Sequence, residues 1–540
     1  MVSIKGNVVD IVARSVFYAE VVIDNGFVLS INPLDGVGDT YLCPGFVDSH
    51  VHIESSMLTP FRFSEVAVSH GTVAIVTDPH ELSNVLGKDG FMFMYNDALN
   101  ALCKIYFGVP SCVPATSFET SGSVLSVPEI DDLLQLEKVV CLSEMMNYPG
   151  VIYNDLDVLS KLETARKHKK PIDGHAPGLV GLDLSAYASA GITTDHECTT
   201  LNEAINKINV GIKVLIREGS AAKNLEALHS LINTHIDHVM LCSDDKHPDD
   251  LTSGHINEAV KTLIAYGYNL FDVLQAACLN AIKHYNLNVG YLQVGHPADF
   301  IVVDNLTNFK ILTTYVSGKP VYSGSVLPAA YRVNAINNFN CNLINTDLIK
   351  VSANGTYINV IEALDKDLYT KKLVFTPCID NGYIVSDTTR DILKIVVLNR
   401  YNPNVLPVVG FIKNFGLKHG ALASCIAHDS HNIICVGVSD VDIVSAINTI
   451  VKNKGGICVV SEFKTIALPL EIGGILSSDT AENVGNLYAD CDKMAKTLGC
   501  ELTAPFMTLS FMALLVIPEF KIGDKFLFNG IEFEPEVLQF

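Results

Sequence analysis

The sequence predicts an α/β protein: a (β/α)8 TIM-like barrel with a flanking β-sandwich-like module and a C-terminal α+β domain. Three observations predict it. Eight β-rich segments recur roughly every 27 residues, a spacing typical of βα units. Most of them run from an apolar first half into polar or ionisable last residues. The stretches before and after this region are short apolar runs separated by turn residues. The chain has 540 residues, of which 49% are hydrophobic and 18% charged. That is material for a large core and argues against a mainly disordered chain.

Residues 1–44 carry the runs NVVDIVA, AEVVID and GFVLSI and read as a small β module. Residues 45–290 hold the eight barrel segments. They are FVDSHVHIE (46–54), TVAIVTDPHE (72–81), IYFGVPSCVP (105–114), VVCLSEMM (139–146), PIDGHAP (171–177), GITTDHE (191–197), GIKVLIREGS (211–220) and HVMLCSDD (238–245). Helix-like stretches such as DLDVLSKLETARKHKK and TLNEAINKIN lie between them. Residues 291–330 regain the character of the N-terminal module and are expected to pair with it. Leu327-Pro328 through Asn340 reads as a linker, and residues 331–540 as an α+β domain.

Charge and cysteine usage exclude several classes. Lys+Arg total 37 against Asp+Glu 59, a net charge of −22. Such a surface repels phosphates and anionic lipids, so neither nucleic acid nor membrane is an expected partner. The 14 cysteines form no CxxC pair, which speaks against a zinc ribbon or a redox motif. The opening MVSIKGNVVDIVARS has early charge and no apolar h-region, and no apolar run approaches a membrane span. A cytoplasmic setting with free thiols is the expectation.

The strand ends carry the chemistry. His50 and His52 sit two apart in a strand and so share a face, with Asp48 and Glu54 expected on the same face. Glu144, His175, His196 and Asp244 end the fourth, fifth, sixth and eighth segments. In such barrels the C-terminal strand ends face the active site. Four imidazoles and two carboxylates at one mouth suffice for two cations bridged by a carboxylate, and suit Zn, Fe(II) or Mn(II) without a thiolate. His80 and Glu81 end the second segment and fit either a substrate-facing or a loop-fixing role. Arg217, Glu218 and Ser220 end the seventh, where substrate positioning and structural pairing are both open. Glu197 is expected to point into the wall by strand alternation. In AHDSHN, the group His428, Asp429, Ser430 and His431 reads either as a separate metal site or as a loop packed over the barrel mouth.

The run PGFVDSHVHIESSMLTP resembles the first strand of the amidohydrolase superfamily. HGTVAIVTDPHELSNVLG, LSEMMNYPGV, DGHAPGL, TTDHE, IREGSAAKN, CSDDKHPDDL, ALASCIAHDSHNIICVG and LPLEIGGILSS extend the likeness, within that superfamily, to the adenine deaminase family over essentially the whole chain. The resemblance implies His50, His52, Glu144, His175, His196 and Asp244 as ligands of a binuclear divalent centre. Mn(II) or Fe(II) is favoured, with Zn(II) as the alternative. Glu144 stands where many superfamily members have a bridging carboxylated lysine. The implied reaction is adenine plus water giving hypoxanthine plus ammonia. A divalent cation lowers the pKa of water from 15.7 to about 7, so hydroxide is available to attack C6. Asp244 is the expected proton acceptor, and His80 and Glu81 the candidates for the second proton transfer. A homo-oligomer is also implied. The competing readings are a cyclic-amide hydrolase of the same superfamily and a non-catalytic scaffold.

Overall fold

The computed structural model describes residues 1–220, 222–326 and 331–540. Leu327 and Pro328, the start of the expected linker, lie outside the described residues. The chain divides into two compact units. The first comprises Met1–Pro79, Met92–Cys112 and Leu125–Arg332, and the second His80–Phe91, Val113–Val124 and Val333–Phe540.

The first unit contains a closed ring of parallel strands. In chain order these are β1 (Phe46–His52), β2 (Thr72–Thr77), β3 (Lys104–Val109), β4 (Val139–Met145), β5 (Ile172–Gly174), β6 (Thr194–Asp195), β7 (Lys213–Arg217) and β8 (Val239–Cys242). Neighbours pair parallel from β1 to β5, with register shifts in the β1–β2, β3–β4 and β4–β5 pairings, and from β6 to β8 without one. Two short contacts complete the ring. A parallel bridge joins Ile172 to Ile192, and Asp244–Asp245, just past β8, pairs with Val51 and His52 of β1. Residues of β1 and β2 are buried throughout, as expected where both faces of a parallel sheet are covered. Val47, Ala74, Val214, Leu215, Met240 and Leu241 belong to one large core with the helices outside.

The flanking module is one seven-stranded sheet. Val2–Asp10, Ser15–Asp24 and Phe27–Pro33 form a meander, and Tyr41–Pro44 runs parallel to the first of these strands. Phe300–Val303 then pairs antiparallel with Tyr41–Pro44, matching Ile301 to Cys43, and Ile311–Val316 and Lys319–Tyr322 extend the sheet. Val8, Ala19, Val21, Leu42 and Phe300 fill its small core.

The second unit is built on an eight-stranded mixed sheet. Its central strands Ile392–Leu398, Ile433–Gly437, Ala421–Ser424 and Ile457–Val460 pair antiparallel. The helix Asp440–Asn453 starts at Ser439, whose side chain accepts from the Asp442 N–H. Ile443, Ala446, Ile447 and Ile450 recur at helical spacing and bury against Ala421, Ala423, Ile433 and Cys458. Among the described residues, no helix is long and apolar enough to cross a membrane.

Candidate active site

In the first unit the strand ends bring six ionisable side chains together. His50 and His52 project from β1, with their rings 4.8 Å apart edge to face. His52 places Nδ1 3.1 Å from the Asp78 carbonyl, which directs Nε2 inward. Inward, His52 Nε2 lies 3.3 Å from both Glu144 Oε1 and Asp244 Oδ1. The other Glu144 oxygen, Oε2, lies 2.8 Å from His175 Nδ1 and 3.1 Å from His196 Nε2. The two oxygens of Glu144 therefore serve different imidazoles. His196 stacks on His50 with ring centroids 4.2 Å apart. The structure thus brings His50, His52, Glu144, His175, His196 and Asp244 into one cluster, and Asp78 adds a seventh ligand-bearing side chain beside His52 and Glu144.

Local backbone shape explains these directions. β8 ends at Cys242, and Asp244 takes a φ of 54°, a left-handed conformation that aspartate tolerates better than most residues. Asp244 Oδ2 is held 2.6 Å from Arg217 Nη1, while Oδ1 faces His50 and His52. Arg217 grips Glu197 as well, through Nη1 at 2.5 Å and Nη2 at 3.0 Å. Ser111 Oγ donates to the Glu144 carbonyl at 2.6 Å and pins the end of β4.

Electrostatics separate the imidazoles. Burial, then His196 and His52, hold His50 well below the usual imidazole range, so it is neutral and able to ligate. Burial alone would lower His175, but Glu197 and Glu144 outweigh it and raise the group to about 9. Burial alone would raise Glu144, but hydrogen bonds from His175 and His196 hold it ionised. Nε2 of His50 is buried without a hydrogen-bond partner, 3.7 Å from Asp244 Oδ1. An inward-facing orphan nitrogen on neutral His50, close to the ionised Glu144 and Asp244 carboxylates, fits a divalent cation.

Several expectations are corrected. Asp48 does not join the cluster. Its carboxylate accepts from the Ser243 N–H at 3.0 Å and from Ser243 Oγ, and pairs with His255 Nε2 at 2.8 Å. Glu54 falls in the short 3-10 turn Ile53–Ser56, where strand alternation no longer applies. Glu197 does not point into the wall. β6 ends at Asp195, and Glu197 lies 3.5 Å from His175 and 3.4 Å from His196. Glu218 and Ser220 lie beyond β7 and make structural contacts: Glu218 accepts from the Leu225 N–H and Ser220 Oγ from the His247 N–H. His80 and Glu81 do not end β2, which stops at Thr77. They open the helix His80–Leu86 of the second unit.

There Glu81 meets partners from far along the chain. Its Oε1 lies 2.5 Å from His428 Nδ1, its Oε2 bonds His431 Nε2, and His80 Nε2 lies 3.4 Å from Oε1. Burial would raise this carboxyl, but His428 and His431 outweigh it and keep it ionised. Phe511 stacks on His428 at 5.3 Å, and Tyr401 donates to the Ser430 carbonyl at 2.6 Å. The spacing of AHDSHN contains none of this, because Glu81 is its missing member.

Comparison with known proteins adds a second line. Residues 41–321 match the amidohydrolase family and residues 367–534 the adenine deaminase C-terminal domain. The chain is 50% identical over 544 residues to an adenine deaminase of Methanosarcina mazei, covering 98% of each chain. The chain belongs to the adenine deaminase family. Other adenine deaminase relatives are equally complete. Those of Methanosarcina acetivorans and a Sulfurovum species are each 48% identical, and each alignment covers 98% of both chains. Adenine deaminase membership thus spans both units, and the strand-end cluster lies inside the amidohydrolase match.

Proposed function

We propose that the chain hydrolyses adenine to hypoxanthine and ammonia at a two-cation centre held by His50, His52, Glu144, His175, His196 and Asp244. The observation that carries the two-cation reading is Glu144. Its Oε1 faces His52 and its Oε2 faces His175 and His196, the disposition a bridging carboxylate needs. Full-length membership of the adenine deaminase family carries the choice of substrate. When bound, divalent cations supply Lewis-acid activation of water at neutral pH.

The chain's own residues do the rest. Asp244 Oδ1 is free of Arg217 and accepts the proton of the attacking water, while the Arg217 contact on Oδ2 fixes the carboxylate plane. As C6 becomes tetrahedral, N1 must gain a proton, and the departing amine needs another. Both protons come from the water: Asp244 passes the first to N1, and Glu81, held ionised by His428 and His431 with His80 beside it, is the proposed carrier that takes the second from the new C6 hydroxyl and gives it to the amine. Mn(II) or Fe(II) as the resident cation, association into a homo-oligomer and a cytoplasmic setting belong to the same proposal. The imidazole and carboxylate donor set suits these cations and Zn(II) alike.

The test is ammonia release from adenine, other aminopurines and a dihydropyrimidine, with Mn(II), Fe(II) and Zn(II) supplied separately. Adenine is expected to be deaminated and the dihydropyrimidine left intact. Ring opening of the dihydropyrimidine without ammonia from adenine would overturn the reading.

A further inference from the structure

We propose that Lys207 is a positioning residue that locks the His175 and His196 loops to each other and so controls one cation position, the one lined by Glu144, His175 and His196. The proposal rests on the two-cation reading above.

Lys207 lies on the helix Leu201–Asn209, and none of it is exposed. An ammonium has three donors, and here each has an acceptor. Nζ donates to the Ala176 carbonyl at 2.7 Å, to Asp195 Oδ1 at 2.7 Å and to Glu203 Oε1 at 3.1 Å. Ala176 directly follows His175, and Asp195 directly precedes His196.

The two carboxylates extend the grip. Asp195 Oδ2 accepts from the Ala176 N–H at 2.9 Å and Oδ1 from the Glu197 N–H at 2.9 Å. Glu203 Oε1 accepts from the Gly178 N–H at 2.9 Å and Oε2 from the Thr199 N–H at 3.2 Å. The loop after β5 is therefore held at Ala176 and Gly178, and the end of β6 with the loop after it at Asp195, Glu197 and Thr199. Both sets converge on one nitrogen. Burial works against that charge, but Asp195 outweighs it and keeps the ammonium above its ordinary range.

The selectivity follows from what the lock does not touch. His50 and His52 ride on β1, and Asp244 is fixed by its own turn and Arg217. The contacts of Asp244 run to Arg217 and to the β1 imidazoles rather than to Lys207 or Glu203. His175 and His196 meet at Glu144 Oε2, so a shift of either loop changes the distances around that oxygen. Residues that orient ligands without touching the cation are typically worth about 10–100-fold in affinity.

The experiment uses the full chain, stripped by chelator and titrated with Mn(II), followed by EPR of free Mn(II). Lys207→Met is expected to keep one equivalent at native affinity and to weaken the other about 10–100-fold. Glu203→Gln, which removes one ion pair but keeps an acceptor for the Gly178 N–H, is expected to weaken the same equivalent less. Lys394→Met is the control. Lys394 is also deeply buried, bonded to the Ile349 carbonyl and Asp440, and belongs to the second unit. It is expected to lower the melting temperature with both equivalents unchanged. Native binding of both equivalents by Lys207→Met, or equal weakening of both, would overturn the proposal.

Hydrogen exchange on the metal-free chain tests the lock by itself. The amides of Ala176, Glu197, Gly178 and Thr199 are expected to exchange at least about tenfold faster in Lys207→Met, with β1 to β4 unchanged. Unchanged exchange there overturns the lock. A native chain that takes up no Mn(II) overturns the two-cation reading, and with it the control of a cation position, whatever the exchange result.

Discussion

Asp244 is held from both sides: Arg217 occupies one oxygen, and the other faces two imidazoles. Asp244→Asn preserves the shape and an oxygen ligand but removes the proton acceptor. It is expected to keep bound cation while lowering kcat by about 10²–10⁴-fold, measured by metal analysis and steady-state rates on one preparation. Near-normal turnover would remove Asp244 from proton transfer. Glu144→Gln is expected to lose both cations, since one carboxylate faces both imidazole sets; unchanged metal content would contradict bridging. His428→Ala removes a partner of Glu81 and should leave cation stoichiometry unchanged while reducing turnover. Loss of a cation equivalent would place His428 among the ligands. At this scale the sequence was legible wherever a strand imposed direction. His50 and His52 follow from alternation along β1. Glu197 was not legible, because its strand ends two residues earlier and alternation no longer governs it. Lys207 was hidden for another reason. Glu203 and Lys207 stand four apart on a helix, a spacing common to exposed surface pairs, and only the fold shows that this pair is buried.

Short elements hold the ring together, and their contacts titrate. His284 ends the helix Asn280–His284 and places Nδ1 3.2 Å from Lys213 Nζ at the start of β7. Burial and then the Lys213 charge push its pKa down to about 3. In the unfolded chain a histidine titrates near 6.5. The native state therefore binds fewer protons between these values. The stability due to neutral His284 is full above pH 6.5 and is lost as pH falls toward 3. His284→Gln cannot take up this proton, so its melting temperature should decline less between pH 7 and 5 than that of the native chain. Parallel curves would sink the assignment. The β/α rhythm was legible because β1, β4 and the helices between are long enough to show a pattern. The ends of β5 and β6 were not, since strands of three and two residues carry no period. They are set by neighbours, through the Ile172–Ile192 bridge and the Thr193 N–H donating to the Ile172 carbonyl.

The whole molecule carries a net charge of −22. Self-repulsion of this size opposes compaction, and salt screens it over about 10 Å at 0.1 M. Raising NaCl from about 10 to 150 mM is expected to raise the melting temperature of the metal-free chain. A fall would show that attractive ion pairs, such as Lys207 with Asp195, outweigh the net repulsion. The seven-stranded sheet has a different consequence. Its central strand, Tyr41–Pro44, needs Phe300–Val303 beside it, so the beginning of the first unit stays unfinished until the ribosome has released residues beyond 303. At roughly 5–20 residues per second, the nascent meander waits on the order of ten to fifty seconds for its partner. During translation its open edge at Tyr41–Pro44 is therefore a surface that chaperones would have reason to guard.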